Sequence, residues 1–596
     1  MMKSAKKIFT VTCVFLAIMI AGESCKKFAE IYSNPNNVTP DQASPDYLMA
    51  GVLTQSAKWY GNYGSGQISG AMQETSQDAF ESGFSNYQWD QQDFDWSGLY
   101  ATLANNKLLL QKAEGFKWDF HQGVALVMRA FDFGNIADFW GDAPDSLALN
   151  GSVGGAENLF PVFDSQQSIY EKVIADLKES IAHFNGTLAD HPEITSTTIT
   201  SDVFYAGDPA KWKKLAYSLL LRYYLRLSSK MDVKASVEAI AANVFQSIDD
   251  DWLMPFQGVD QGTSYQFCSK FNGPSGYHRN KMCGTMTMKM RDLKDPRIVI
   301  MAQPVVTPSI VDASKFAVGD NTNLTVVIGN TRYINPAAAA ASQYKQFDPT
   351  TYTTDRPYGA LRGDLWNLYD TSSVYVGLPI NYDNYNEFQY NVNGTGTQST
   401  SLSNYVSYLR TDIYDNPSGP LLAERIASYS EICFDLAEAA QKGLFGTAGI
   451  DDVNWYKKGV QASFDTWQVF STYQSDVDNY YGCVKDLATY MAQPTVAYDG
   501  TLQRIMEQKW IASWQACNEA FMDWRRTGLP ALKIGWAAYR GQIPLRFGYN
   551  NSELQNNSTN AQVAIDKLVP STYNGPDGNN SSWSKFWLLQ GTNEPW

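Results

Sequence analysis

Residues 502–530 read LQRIMEQKWIASWQACNEAFMDWRRTGLP. Apolar side chains at Leu502, Ile505, Met506, Trp510, Trp514, Cys517, Phe521 and Trp524 recur at helical spacing, which predicts one long helix with a single buried face. Three tryptophans on that face demand a heavily packed partner surface. Arg525 and Arg526 fall in the last turn, where cations suit the negative end of the dipole, and Gly528 followed by Pro530 stops the helix. Asp523 and Arg526 are three apart and placed to pair, while Trp524 faces the core.

Working outward, similar periodic stretches come in pairs. Leu99 to Glu114 and Trp118 to Asp138 form the first. Ile169 to Phe184 begins the second, with Asp164 and Gln167 spaced as a capping box, and its partner starts at Asp208 with Pro209 in the first helical position. Glu424 to Lys442, closed by Gly443, and Val453 to Phe470 form the third. The expected fold is therefore mainly α: tetratricopeptide-like helix pairs forming a scaffold, with long irregular loops and a few short strands. The repeat is degenerate, with no strict period.

The N-terminus reads as an address. Lys3, Lys6 and Lys7 precede an apolar run from Ile8 to Ile20, which is shorter than the roughly 20 residues a spanning helix needs, so residues 1–24 are expected to be a signal peptide. Ala21, Gly22 and Ser24, with Glu23 a departure from the usual small residue, then lead to Cys25, the arrangement of a bacterial lipoprotein whose cysteine becomes the acylated (palmitate-bearing) first residue. The alternative is a soluble secreted chain cleaved near Ala21.

The whole chain of 596 residues carries a net charge of −15, and removing residues 1–24 makes it more acidic. With no basic stripe, nucleic acid is excluded as a partner. Cys268, Cys283, Cys433, Cys483 and Cys517 are an odd set, two of them inside helical patterns, so no disulfide framework is expected. Cys268 and Cys283 stay open as a pair or as separate thiols. His121, His183, His191 and His278 show no metal-ligand spacing, and no metal or cofactor is expected. Asp250-Asp251 and Asp451-Asp452 read as helix caps rather than calcium ligands. No nucleophile motif, phosphate loop or zinc motif is present, so the chain is expected not to be an enzyme.

Asp250 to Pro420 is different in kind, being rich in Gly, Asn, Tyr and Thr with short β-branched runs at Val305–Thr307 and Leu324–Ile328. Long irregular segments in a folded body are usually functional. Aromatic clusters occur at Trp59, Tyr60 and Tyr63; at Phe84, Tyr87, Trp89, Phe94 and Trp96; at Tyr265, Phe267, Phe271 and Tyr277; and at Tyr375, Tyr382, Tyr385 and Tyr390. Sugars present C–H faces rimmed by hydroxyls, so flat rings beside amides and carboxylates suit them. Tyr87, Trp89, Asp90, Trp96, Tyr277 and Tyr375 are the candidate ligand-binding residues. On this reading Trp89→Ala weakens ligand binding and leaves the unfolding temperature nearly unchanged, whereas a large stability loss would place Trp89 in the core.

Strings spread along the chain resemble the SusD/RagB family of outer-membrane lipoproteins of Bacteroidetes. They are Cys25 followed by Asn34-Pro35-Asn36, DFWGDAP at 138–144, PVFDSQQSIY at 161–170, YAGD at 205–208 with Lys211-Trp212, Asp295-Pro296-Arg297, Tyr429-Ser430-Glu431 with AEAA at 437–440, and DWRRTG at 523–528. The resemblance implies a lipid-anchored binding protein of the outer membrane, facing the extracellular side, that captures a nutrient and closes over a SusC-like TonB-dependent transporter. It also implies that the segment Phe84–Trp96 contributes to the ligand site. Residues 25–596 are expected to form one domain: a helical scaffold at about 40–250 and 420–530, a ligand-loop insert at about 250–420 and a C-terminal loop region at 530–596. An oligosaccharide is the expected ligand. The alternatives are a peptide ligand in the same transport system and a surface adhesion or scaffold lipoprotein with no transport role.

Overall fold

The paired periodicities become paired helices in the computed structural model, which describes residues 42–596 apart from 78–84, 92, 306–307, 324, 342–343, 347–365, 370–372, 379, 382–387, 391–405, 536–537, 593 and 595. The expected signal peptide and Cys25 lie outside the described residues, as do Phe84, Tyr382 and Tyr385. The scaffold is built from α1 (Pro45–Ser65), α2 (Ser97–Phe116), α3 (Asp119–Trp140), α4 (Gln166–His183), α5 (Pro209–Leu227), α6 (Tyr429–Gln441), α7 (Asp451–Thr466), α8 (Leu502–Ala512) and α9 (Asn518–Thr527). Helices α2 with α3, α4 with α5, and α6 with α7 pack as the three expected pairs, α3 also packs on α4, and α1 lies against α2 and α3. No described helix is long and apolar enough to cross a membrane.

Local chemistry sets the ends. Asp208 caps α5 by accepting from the amides of Ala210 and Lys211, with Pro209 where no donor is needed. For α4 the cap is Ser165, which accepts from Ser168 N, and not Asp164. The Asp164 carboxylate turns away to accept from the amides of Asp145 and Ser146 at 2.9 and 2.8 Å. Likewise Asp251 accepts from Tyr429 N at 2.7 Å, tying the start of α6 to a distant loop.

Two further expectations change. Residues 423–427 are a strand, not the start of α6, and the helix begins at Tyr429 after its cap Ser428. Strand β10 (Ala423–Ala427) pairs antiparallel with β2 (Trp252–Pro255). That ladder closes the base of the loop insert: the chain leaves the scaffold on one strand and returns on its neighbour, so backbone pairing outweighs the helical preference of AERIA. Against this ladder lies α1, where a Cβ on Gly61 would sit 1.7 Å from the Glu424 carboxylate, so any larger residue there would require the Glu424 side chain to move. The other ladders are short: β1 (Thr75–Gln77) with β3 (Asn280–Met282), β4 (Ser309–Val311) and β5 (Thr325–Ile328) either side of β6 (Thr331–Ile334), and β7 (Tyr344–Gln346), β8 (Trp366–Tyr369) and β9 (Phe388–Tyr390). Cys268, Cys283, Cys433, Cys483 and Cys517 are all buried and free.

The stretch 502–530 is two helices rather than one. After Ala512 the chain turns through Ser513–Cys517, with Gln515 in the left-handed region at φ 63°, before α9 begins. The break feeds polar demands that a straight helix would leave unmet. Gln515 accepts from Tyr265 Oη at 2.7 Å, Asn518 donates to Tyr60 O at 2.7 Å, and Trp514 Nε1 donates to Tyr414 Oη at 2.7 Å. Gly528 ends α9 at φ 69°, as the sequence suggests.

The DWRR string sits in a buried ionic network, so Arg525 and Arg526 do more there than complement a dipole. Arg526 pairs with Asp523 at 2.7 Å and with Glu438 of α6, and Glu438 also takes Lys442 at 2.6 Å. Lys509 of α8 bridges Asp435 at 2.5 Å and Asp523 at 2.7 Å. Glu519 pairs with Arg226 of α5, which also holds Asp138 of α3, and Arg222 pairs with Glu431 at 2.8 Å. Arg525 donates to the carbonyls of Asp138 and Leu545, both at 2.7 Å. Burial opposes ionisation of Glu438, but Arg526 and Lys442 outweigh it and hold its carboxyl below the ordinary range. Helices α3, α5, α6, α8 and α9 are thus cross-linked by charge inside the core.

Several described carboxyls lie outside that compensation, Glu74, Asp132 and Glu424 among them. Burial pushes Glu74, which accepts from Ser513 Oγ at 3.2 Å, up to about 8. It does the same to Asp132, whose partner is Ser56 at 2.9 Å, and to Glu424. Such groups are neutral in the fold at pH 7 and ionised in the unfolded chain, so stability fully present near pH 4 is lost as pH rises toward 8. The unfolding free energy is expected to fall between pH 5 and 8, and Glu74→Gln to remove about 3 kcal/mol of that fall, read by denaturant titration at both ends. An unchanged slope in the variant would show that Glu74 is already ionised.

Candidate functional site

The residues singled out around Tyr87 pack into the core. Trp89 is fully buried, with Phe94, Phe521 and Phe547 at centroid distances of 5.5, 5.7 and 5.2 Å. Tyr87 is equally buried, and its hydroxyl accepts from Gln73 Nε2 at 3.0 Å. Trp96 packs on Trp140 at 5.4 Å and Tyr549 at 5.8 Å. Asp90 is ion-paired to Arg540 at 2.5 Å. A ring with no open face cannot stack on a sugar, so the structure corrects the expected geometry of this cluster: its rings serve packing between α3, α9 and the C-terminal region. The sequence pattern missed this because the partners Phe521 and Phe547 lie more than four hundred residues away.

Tyr375 and Tyr277 lead to a different place. Tyr375 lines an open cleft of about 540 Å³, together with Val299, Gln303, Pro304, Val374, Arg410, Thr411, Asp412, Asp476, Asn479 and Tyr480. Its ring is itself buried and meets Tyr480 edge to face at 4.8 Å and 89°, so it fixes the orientation of the more exposed Tyr480. Tyr277 lies behind the wall: its hydroxyl donates to Leu409 O at 2.5 Å and contacts Thr411 Oγ1 at 3.1 Å, holding the segment that carries Arg410. The candidate residues therefore divide, with Tyr87, Trp89, Asp90 and Trp96 in one core cluster and Tyr277 and Tyr375 at the cleft.

The cleft is assembled from four stretches far apart in sequence. Residues 299–304 and 408–412 run side by side through the bonds Gln303 N to Tyr408 O at 2.9 Å and Arg410 N to Met301 O at 3.0 Å. Val305 N to Val374 O at 2.8 Å adds the third. The short helix Gln474–Asn479 supplies Asp476 and Asn479 and leads directly into Tyr480. Gln303 Oε1 accepts from Thr411 N at 3.2 Å, which aims its amide along the wall. Burial raises the Tyr480 hydroxyl above its ordinary value, so the group stays neutral and able to donate. A volume near 540 Å³ falls in the range of small-ligand sites. One phenol face, two side-chain amides and two carboxylates make a surface that can stack on a pyranose and hydrogen-bond its hydroxyls.

A second open cleft, of about 430 Å³, is lined by Gln246, Tyr429, Lys457, Lys458, Gln461 and Asp465 among others. A cavity of about 40 Å³ beneath the ionic network, lined by Arg425, Glu431, Lys509 and Trp514 among others, has room for a few waters only. Among the described residues no group of three or more His, Cys, Asp or Glu is placed to hold a metal ion. Gln303, Arg410, Asp412, Asp476, Asn479 and Tyr480 were not singled out in the sequence. The adjacent Tyr480-Tyr481, the latter 98% exposed, was the available signal.

Comparison with known proteins follows this geometry. A family model described as SusD-like, starch-binding and associating with the outer membrane matches residues 35–339 and 367–550. A SusD homologue from Bacteroides fragilis superposes with a TM-score of 0.64 at 19% identity, over 92% of this chain and 100% of that one. A SusD/RagB family protein from Bacteroides thetaiotaomicron gives 0.59 at 21% identity, over 92% and 100%. A chitin-binding SusD homologue from Flavobacterium johnsoniae gives 0.60 at 18% identity, over 92% and 99%. At these identities the structures speak for the fold alone. A search of curated proteins returns no match.

Proposed function

We propose, from the premise that this chain belongs to the SusD-like family of starch-binding proteins that associate with the outer membrane, that it captures an oligosaccharide nutrient in the cleft around Tyr480 and delivers it to a TonB-dependent transporter. The observation that carries the reading is the cleft itself: a half-buried phenol braced by Tyr375, lining with amides and carboxylates a space of ligand size. Two supports stand beside it. A structural relative is described as chitin-binding, and the sequence opens with the lipoprotein pattern ending at Cys25, which suits anchoring beside a membrane transporter.

The role is binding without chemistry. Asp412 and Asp476 share one guanidinium, at 2.6 and 3.4 Å, rather than standing free as an acid and a base across a scissile bond. Calorimetric titration with maltohexaose and chitohexaose tests the reading. At least one is expected to bind the wild type, and Tyr480→Ala to weaken that binding about tenfold with the thermal midpoint unchanged. Equal affinity in wild type and variant would remove the ligand from this cleft.

A further inference from the structure

Arg410 is placed where an acidic sugar would be expected to dock, yet its donors are already engaged. Its Nε and Nη2 donate to the Asp412 carboxylate at 2.6 and 2.9 Å, and its Nη1 donates to Val299 O at 2.9 Å. Asp476 lies 3.4 Å from Nη2, and the Tyr473 ring stacks beneath the guanidinium at 4.8 Å. Recognition of a uronate or a sulfate normally uses the arginine fork in bidentate fashion. Here that fork is filled from within the protein.

We propose that Asp412 and Asp476 make this cleft selective for uncharged glycans over acidic ones. The inference rests on the reading of the cleft as an oligosaccharide site. The two carboxylates are 62% and 45% exposed, while Arg410 is 13% exposed, so the entering ligand meets the acids before the base. The charged side chains of the lining are Arg410, Asp412 and Asp476, which leaves a net negative wall. Sugar hydroxyls donate to carboxylates, so an uncharged glycan gains bonds there. A galacturonate or sulfate meets like charge, and to reach Arg410 it would have to displace both acids. The acidity of the whole chain, at −15, adds long-range repulsion of the same sign.

The test is calorimetry on the full mature protein with maltohexaose, chitohexaose and hexagalacturonate. The wild type is expected to bind an uncharged hexamer at least about tenfold more tightly than hexagalacturonate. Residual hexagalacturonate binding should strengthen as salt is raised, because salt screens repulsion, while uncharged binding stays constant. The double variant D412N/D476N frees Arg410 and should narrow the preference by about tenfold. If the variant does not fold, the salt series on the wild type decides alone. Wild-type binding of hexagalacturonate that equals the uncharged hexamers, or that weakens with salt, overturns the proposal and leaves the oligosaccharide reading standing. Binding of none of the three overturns both.

Discussion

Arg226→Met is expected to lower the stability of the protein by about 3–5 kcal/mol. The guanidinium lies between Asp138 of α3 and Glu519 of α9, with its own side chain 3% exposed and those of its partners 2% and 8%. Tyr170 donates to Asp138 at 2.6 Å and Tyr60 to Glu519 at 3.3 Å, so both acids are wired into neighbouring helices. Removing the arginine leaves the buried Asp138 carboxylate without its ion pair and Glu519 with only the longer contact to Arg222 at 3.6 Å, and the fold must either bury under-compensated ions or take up protons. The loss should therefore be largest at pH 7 and shrink toward pH 4, where the acids protonate at lower cost. Denaturant titration at both pH values checks the sign. Arg226→Met combined with Asp138→Leu and Glu519→Leu should recover much of the loss, because a whole buried ionic group can be replaced by apolar packing at little cost. Breaking the exposed pair Lys234–Glu238, whose side chains are about half exposed, is the control and should cost no more than about 0.5 kcal/mol.

Trp89→Ala is expected to cost about 3–5 kcal/mol by leaving a cavity against Phe94, Phe521 and Phe547. Phe94 and Phe547 are themselves stacked at 3.9 Å and 9°, so the surrounding rings have little freedom to collapse into the space. Oligosaccharide affinity per folded molecule should not change. This reverses the expectation drawn from the sequence, where Trp89 was a ligand residue with little effect on stability. Thermal unfolding and calorimetry on the same sample separate the two roles.

Much of the scaffold was legible in advance because helical periodicity and caps are local. Asp208-Pro209, Gly443 and Gly528 mark ends that the structure keeps. The break at 513–517 was hidden, since both helices turn their apolar sides to the same core and the spacing runs on through the turn. The strand at 423–427 was hidden for another reason: its partner, 252–255, lies across the whole insert, and nothing local in AERIA calls for pairing. The DWRR string is one of the marks that carry the family resemblance, yet its chemistry is structural, as a hub of buried ion pairs. The cleft was the least legible part. Its wall joins residues near 300, 375, 410 and 480, and a single sequence does not say that these meet. Tyr375 was singled out as one of a run of tyrosines, and its service is to brace a ring, Tyr480, that no pattern picked out.

The most direct measurement is amide hydrogen exchange, with and without a saturating amount of whichever uncharged hexamer binds in calorimetry. Slowed exchange is expected in 299–305, 408–412 and 474–480, with 87–96 unchanged. Protection concentrated in 87–96, with those three segments unaffected, would contradict the placement of the ligand in the Tyr480 cleft.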